Sequence, residues 1–408
     1  MENVSVEKVH LEKYTSIIGE KKTEEIKALA ENLKGKKVCH VNSTSFGGGV
    51  AEILYRLVPL MCDVGLKAEW KVIKGSDEFF NVTKTMHNGL QGMNISLTEQ
   101  MKETYLKYNK MNAHELDLNH DFVVIHDYQP AAIISQYPTR VGKWIWRCHI
   151  DLSHPNQKFM NFITPFALQY DSLIFTMKQF VQEPLRANKV TIIPPSIDPL
   201  SAKNCPLSES LIRSVLDKYD VDAEKPIITQ VARFDPWKDP LGVIDVYRLV
   251  RKKVLNVQLL LIASMAKDDP EGWTYYEKTA RHAAEDYNIH LLTDLKGVGD
   301  IEVNAFQRAS DVVLQKSIRE GFGLSVAEAL WKEVPVVGSN VGGIPLQILH
   351  GKTGFLVNNI GEAAERTIYL LKHSVEAKKM GKRGKEHVSK NFLITRHLED
   401  YLKLFCSL

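Results

Sequence analysis

No stretch of this 408-residue chain is apolar for long enough to cross a bilayer. The longest, Val257 to Ala266, reaches about half of the ~20 residues a membrane helix needs. Met1 to His10 is charged and lacks an apolar h-region, so no secretory signal is expected. Cysteine is scarce. Cys39, Cys62, Cys148, Cys205 and Cys406 are odd in number, lie far apart and form no C-x-x-C pair. That pattern speaks against a disulfide framework or a zinc or redox pair and suits a reducing cytoplasm, where the sequons at Asn3, Asn42, Asn81 and Asn94 are chance matches. A net charge of +3 with no polybasic tail gives no footprint for nucleic acid, and Gly35-Lys36-Lys37 reads as a solvated turn. Two phosphate-binding signatures are also missing. No Gly-Lys-Ser/Thr P-loop occurs, and the dinucleotide fingerprint needs glycine where Glu52 stands, which argues against a nicotinamide dehydrogenase. The one D-x-D pair, Asp220-Val221-Asp222, precedes a predicted strand and reads as a solvated loop rather than a metal clamp.

What is present is an ordinary globular composition, 44% hydrophobic and 25% charged, in which short apolar runs alternate with longer amphipathic segments. That alternation predicts parallel sheets built from βα units. Strands are expected at 37–42, 68–73, 122–126, 144–148, 172–176 and 191–193, with helices at 49–62, 99–111 and 129–135. After the proline-rich segment Ile193 to Pro199, strands are expected at 227–233, 258–263, 290–292, 312–315, 334–337 and 354–357, with helices around 240–250, 272–287, 303–309 and 324–331. The fold class is therefore α/β, with two doubly wound Rossmann-like domains facing across a cleft. The expected boundaries are 1–195 for the first domain, 196–385 for the second, and 386–408 as a helix packing back toward the first domain.

The most informative segment runs from Arg319 to Val336, where Glu320 and Glu328 flank Gly321, Phe322 and Gly323. Glycines allow close approach of the backbone, and the helix starting near Leu324 favours anionic oxygens at its N-terminus. Glu328 could accept two hydrogen bonds from a ribose diol. Equally, Ser325-Val326-Ala327-Glu328 fits a capping box that only satisfies its own helix start. Arg233 at an expected strand end and Lys238 in the following loop supply two positive charges suited to a departing diphosphate, or salt bridges to Asp235 or Asp239. In the first half, Gly47-Gly48-Gly49 follows a strand and opens a helix, either to approach a phosphate or to permit tight packing. His126-Asp127-Tyr128-Gln129 and Arg147-Cys148-His149-Ile150-Asp151 end adjacent strands. Asp127, Gln129, Arg147 and Asp151 there offer the donors and acceptors that sugar hydroxyls require.

Taken together, the glycine loop, His149, Arg233 with Lys238, Glu320 with Glu328, Val341-Gly342-Gly343-Ile344-Pro345 and Gly351-Lys352-Thr353-Gly354-Phe355 resemble the retaining nucleotide-sugar glycosyltransferases of family 4, with the GT-B fold. The resemblance covers nearly the whole chain. Within that family, VNSTSFGGGVAEIL, HDYQP and WRCHIDLS look closest to archaeal trehalose-forming members and, more distantly, to trehalose phosphorylases. The resemblance implies catalytic roles for Arg233, Lys238, Glu320 and His149. It implies donor contacts from Gly48, Gly49, Arg233, Lys238, Glu320, Gly321, Phe322, Gly323, Leu324 and Glu328, with His149 near the 6-hydroxyl of the transferred glucose. Many relatives carry a glutamate just after Gly-Gly-Ile-Pro, where this chain has Leu346 and Gln347. The expected reaction moves glucose from a nucleoside-diphosphate glucose to the anomeric hydroxyl of free glucose, giving α,α-trehalose reversibly. A phosphorylase using inorganic phosphate and a non-catalytic nucleotide-sugar sensor are the alternatives. No metal ligands and no required cofactor are expected, with Mg2+ at most a stimulant. The expected partners are small molecules, without nucleic acid or membrane, and a homodimer is compatible with the sequence.

Overall fold

The computed structural model describes residues 2–46, 48–264 and 271–408. Gly47 of the glycine loop, and Met265 and Ala266 at the end of the longest apolar run, lie outside the described residues. The chain forms two compact units, Met1–Ser196 with Ile394–Leu408, and Ile197–Leu393. It therefore passes between them twice, and the two crossings pair with each other through a bridge between Ile197 and Leu393.

The first unit holds β1 (Glu2–Asn3), β2 (Lys37–Asn42), β3 (Lys67–Val72), β4 (Phe122–His126), β5 (Lys143–Arg147), β6 (Ser172–Phe175) and β7 (Val190–Ile192). Their order is β1-β3-β2-β4-β5-β6-β7, parallel except for β1 against β3. Central strands are buried on both faces, as parallel sheets require. Along β4, Val123 and Ile125 pack with Trp144 and Trp146 on one face. On the other face Phe122 and Val124 join Ile145, Ile174 and the last helix, Ile394–Cys406, through Leu398, Tyr401, Leu402 and Phe405. Burial of each such side chain is worth about 1.5–3 kcal/mol, so this helix is a structural part of the first unit. By strand alternation His40, His126 and Arg147 occupy the helix-covered face at the carboxyl end of the sheet.

The second unit holds β8 (Ile227–Val231), β9 (Gln258–Ala263), β10 (Ile289–Thr293), β11 (Val312–Gln315), β12 (Val336–Ser339) and β13 (Gly354–Val357). All run parallel in the order β10-β9-β8-β11-β12-β13. Strand order reverses between β2 and β4 in one unit and between β8 and β11 in the other. These are the switch points where doubly wound sheets receive ligands.

Several expected elements are displaced. β8 stops at Val231, so Arg233 stands in the following loop, because Asp235 turns the chain by accepting from the Trp237 amide at 2.8 Å. β12 starts at Val336 because Pro335 has no amide to donate. The segment expected as a helix at 129–135 is a 3-10 turn, Ala131–Gln136, following Pro130. Helices Glu20–Glu31, Asp77–Leu90, Gln157–Ala167, Glu209–Lys218 and Ile360–Lys372 have no counterpart among the expected elements, and the helix expected at 386–408 is two: the end of Ser374–Asn391 in the second unit, then Ile394–Cys406 in the first. Among the described residues no helix is long and apolar enough to cross a membrane.

Candidate active site

At the switch point of the second unit, two loops converge. After β8, Asp235 caps the turn Pro236–Lys238, and Asp239 adopts a left-handed φ of 48° while accepting from the Gly242 amide at 3.0 Å to start the helix Pro240–Arg251. After β11, the Ile318 amide donates to the Trp237 carbonyl at 2.7 Å, which fastens one loop to the other. The consequence is an ion pair. Lys238 Nζ donates to both oxygens of Glu320 at 2.6 Å, and Glu320 is only 5% exposed. Ser317 Oγ at 3.0 Å and Gln315 Nε2 at 3.3 Å donate to the same carboxylate. Glu320 is thus fixed by three neighbours before any ligand arrives.

The loop continues through Gly321, Phe322 and Gly323 into the helix Leu324–Trp331, whose N-cap Gly323 is left-handed at φ 81° and supplies no side-chain cap. Its first amides are therefore oriented toward the helix entrance without a side-chain acceptor. This overturns the capping-box alternative: Ser325 lies inside the helix and its hydroxyl donates to Gln315 Oε1 at 3.2 Å. Glu328 is buried and accepts from Gln307 Nε2 at 3.4 Å. Arg233 lies 3.7 Å from Asp235, one of the two salt bridges open to it, whereas Lys238 pairs with Glu320 and Asp239 with Lys316.

Gln347, two residues after Pro345, is fully buried and donates to the carbonyls of Phe322 at 2.6 Å and Gly323 at 3.3 Å. An amide can do this and a carboxylate cannot. Gln315 and Ser317 escaped sequence reasoning, and Gln347 stood out only as a residue that follows Gly-Gly-Ile-Pro. The two β11-end residues could have been found from their place just before the Glu320 loop.

In the first unit, Gly48 precedes the helix Gly49–Asp63 and is exposed, and a Cβ added there would meet nothing within 4 Å. Tight packing therefore does not explain that glycine. His126 Nε2 lies 2.9 Å from His40 Nδ1, and His126 Nδ1 lies 2.9 Å from His149 Nε2. His126 and His149 stack at 5.2 Å between ring centroids. Burial holds all three imidazoles below the usual histidine range, His40 down to about 3, and the positive charge of Arg147 lowers His126 and His149 further. All three are neutral rings at neutral pH.

Asp127, in a left-handed conformation at φ 63°, accepts from the His149 amide at 2.7 Å, and desolvation pushes its carboxyl up to about 7. Its partial exposure lets water blunt that shift. Gln129 is half-buried, with its carbonyl accepting from Asn109 at 3.0 Å. Asp151 is buried and accepts from the Ser153 amide at 2.8 Å. Arg147 is fully buried and none of its guanidinium nitrogens has a hydrogen-bond partner. In this structure it offers no atom to a solvent-borne sugar.

One group among the described residues, Cys39, Glu69 and His120, has the composition of a metal site. Its carboxylate is already engaged: Lys71 Nζ and His120 Nε2 each lie 2.8 Å from Glu69 Oε1, and Lys71 also donates to the Asp117 carbonyl at 2.6 Å.

Comparison with known proteins completes the assignment. Residues 40–182 match the trehalose synthase N-terminal domain family, and residues 213–387 match the glycosyl transferases group 1 family. The chain is 61% identical over 399 residues to the trehalose synthase of Thermococcus litoralis, covering 97% of each. This chain belongs to the trehalose synthase family of glycosyltransferases. The family's two-domain α/β GT-B fold is also found in sucrose-phosphate synthase from Thermosynechococcus elongatus, at a TM-score of 0.71 and 16% identity over 91% of this chain and 100% of that one. Similarity to the trehalose phosphorylase of Pleurotus pulmonarius is lower, 28% over 86% of this chain and 54% of that protein. The chain is thus an enzyme of trehalose-related glycosyl transfer.

Proposed function

We propose that this enzyme transfers glucose with retention from a nucleoside-diphosphate glucose to the anomeric hydroxyl of free glucose, forming α,α-trehalose in a reversible reaction. The observation that carries the reading is the Lys238–Glu320 pair at the switch point of the second unit, beside Arg233 and a helix entrance with no side-chain cap. An ammonium has three N–H donors, so Lys238 can hold Glu320 and still donate to a phosphate oxygen. As the bond from the glucose C1 to the diphosphate oxygen stretches, Lys238 and Arg233 stabilise the negative charge gathering on the leaving group. Glu320 and the amides of Gly321 to Leu324 hold the glucose hydroxyls, Glu328 binds the ribose, and Gly48 and Gly49 approach the phosphate or acceptor.

The acceptor hydroxyl forms its bond to C1 on the face the diphosphate vacates, and its proton passes to the departing phosphate oxygen. Retention follows without a carboxylate nucleophile behind C1. Asp127, Gln129 and Asp151 serve the acceptor side. The two positive side chains take the role a divalent ion plays elsewhere, so activity persists in EDTA and Mg2+ acts at most as a stimulant.

The test is a panel of nucleoside-diphosphate glucoses with free glucose, with anomeric analysis of the product, beside an arm in which trehalose is offered inorganic phosphate. α,α-Trehalose from the first arm supports the reading. Glucose 1-phosphate from the second arm alone would make the enzyme a phosphorylase, and donor binding without turnover would make it a sensor.

A further inference from the structure

The imidazole chain at the carboxyl end of the first sheet does more than fill space. We propose that His40 and His126 are positioning residues that hold His149 in its Nδ1–H tautomer, so that His149 presents a fixed hydrogen-bond donor to a hydroxyl of the transferred sugar. The proposal rests on the transfer reaction above.

A neutral imidazole carries one proton on its two nitrogens, so a chain of three neutral rings linked nitrogen to nitrogen has only two self-consistent protonation patterns. In one, His40 Nδ1–H donates to His126 Nε2 and His126 Nδ1–H donates to His149 Nε2, across two contacts of 2.9 Å. The proton of His149 is then on Nδ1. In the other, every proton reverses, His149 becomes an Nε2–H donor pointing inward, and the last proton sits on His40 Nε2.

His40 Nε2 is buried and has no hydrogen-bond partner. A buried lone pair without a donor is tolerated better than a buried N–H without an acceptor. The surroundings also keep the rings neutral, as the two patterns require. Arg147, from β5, is a fully buried cation on the same face of the sheet. Burial and its charge keep His126 and His149 from protonating, and burial alone does so for His40. The remaining polar neighbours come from the last helix and from Asp127. Tyr401 meets the His40 ring edge-on at 5.8 Å, and His397 stacks on Tyr401 while its Nδ1 lies 3.0 Å from Ser196 Oγ. Arg396 is occupied by Asp400 and the Pro194 and Pro195 carbonyls. Asp127 fixes the backbone of His149 rather than its ring.

The decisive measurement is the tautomer of His149 in the intact enzyme, read from long-range 1H–15N correlation spectra of histidine-labelled protein. The expected spectrum has a protonated Nδ1 and an unprotonated Nε2 on His149. An Nε2–H tautomer would overturn the proposal, and this reading does not depend on activity. His126→Phe removes the donor to His149 Nε2 and should release the tautomer, lower kcat about tenfold, the scale of one hydrogen bond, and leave the donor KM within about twofold. His126→Asn places an amide N–H near the position of Nδ1 and should restore both tautomer and kcat. An unchanged tautomer and kcat in His126→Phe would also overturn the proposal. If the tautomer is Nδ1–H while no glucosyl transfer is detected, the assigned reaction fails and the positioning role stands on its own.

Discussion

Replacing Gly342 with alanine tests how the Glu320 loop is held. Gly342 has a positive φ of 53°, and a Cβ built on it would lie 1.7 Å from the Glu320 carbonyl oxygen and 2.7 Å from its carbonyl carbon. The next residue also presses on the loop, since a Cβ on Gly343 would lie 2.6 Å from the Gly321 oxygen, while its amide donates to the Glu320 carbonyl at 3.2 Å. Both obstacles are backbone, so no side-chain rotation relieves them. Alanine in the left-handed region costs about 1–2 kcal/mol by itself. Opening the contact to the 3.0 Å floor of real Cβ contacts then requires the loop to move by roughly 1.3 Å. A displacement of about 1 Å in a catalytic group costs on the order of a hundredfold in rate. Gly342→Ala should therefore lower kcat/KM about a hundredfold or more and weaken donor binding in calorimetry, with the far-ultraviolet spectrum unchanged. Gly351→Ala is the control, because its φ is 74° but nothing lies within 4 Å of the added carbon. It should carry only the conformational cost and leave kcat/KM intact. If Gly342→Ala keeps kcat/KM within twofold, or the two variants behave alike, the packing of these glycines does not set the loop.

Lys238→Ala should reduce kcat about a hundredfold or more through loss of charge on the leaving group, and combining it with Glu320→Gln should cost less than the sum of the two, since they share one ion pair. Additive losses in steady-state kinetics would separate their roles. Gln347→Leu leaves the Phe322 carbonyl without its donor inside the core and should destabilise the enzyme by about 1–3 kcal/mol in urea unfolding, with Gln347→Glu no better; wild-type stability in either variant would dismiss the amide's role. Stability should also depend on pH through His40. Burial lowers its pKa to about 3 from the ordinary 6.5, so its contribution is present above pH 6.5 and lost as pH falls, a loss of about 2 kcal/mol by pH 5. His126, His149 and His397 act in the same direction. Asp127, raised to about 7, opposes them, regaining stability as pH falls below 7. The clean comparison is therefore a difference: between pH 7.5 and 5.0, His40→Phe should lose about 2 kcal/mol less stability than wild type, and equal losses would refute the assignment.

Parallel strands were legible because they are continuous apolar runs: 37–42, 258–263 and 312–315 were expected with the bounds they have in the fold. The helix Glu20–Glu31 and the first part of Ser374–Asn391 were hidden because their exposed faces are densely charged and their apolar stripes narrow. The residues of the Glu320 loop were readable from glycine spacing, but Lys238 meeting Glu320 depends on β8 and β11 being neighbours, which no local pattern encodes. Arg147 shows the reverse case. Its place at a strand end suggested a sugar contact, whereas the alternation of β5 turns its side chain to the face covered by the helix Ile394–Cys406. Likewise His40 carried no motif, and only the pairing of β2 with β4 brings it to His126.

The return of Ile394–Leu408 to the first unit also sets an order of events during synthesis. Residues 197–393 are contiguous and can acquire their native contacts as soon as they leave the ribosome. The sheet that precedes them must wait, with the cluster around Val124, Ile145 and Ile174 incomplete, until Leu398, Tyr401 and Phe405 have been made. The earlier-made body is thus the later to mature, and a nascent chain stalled before those residues would present a sticky apolar face to chaperones.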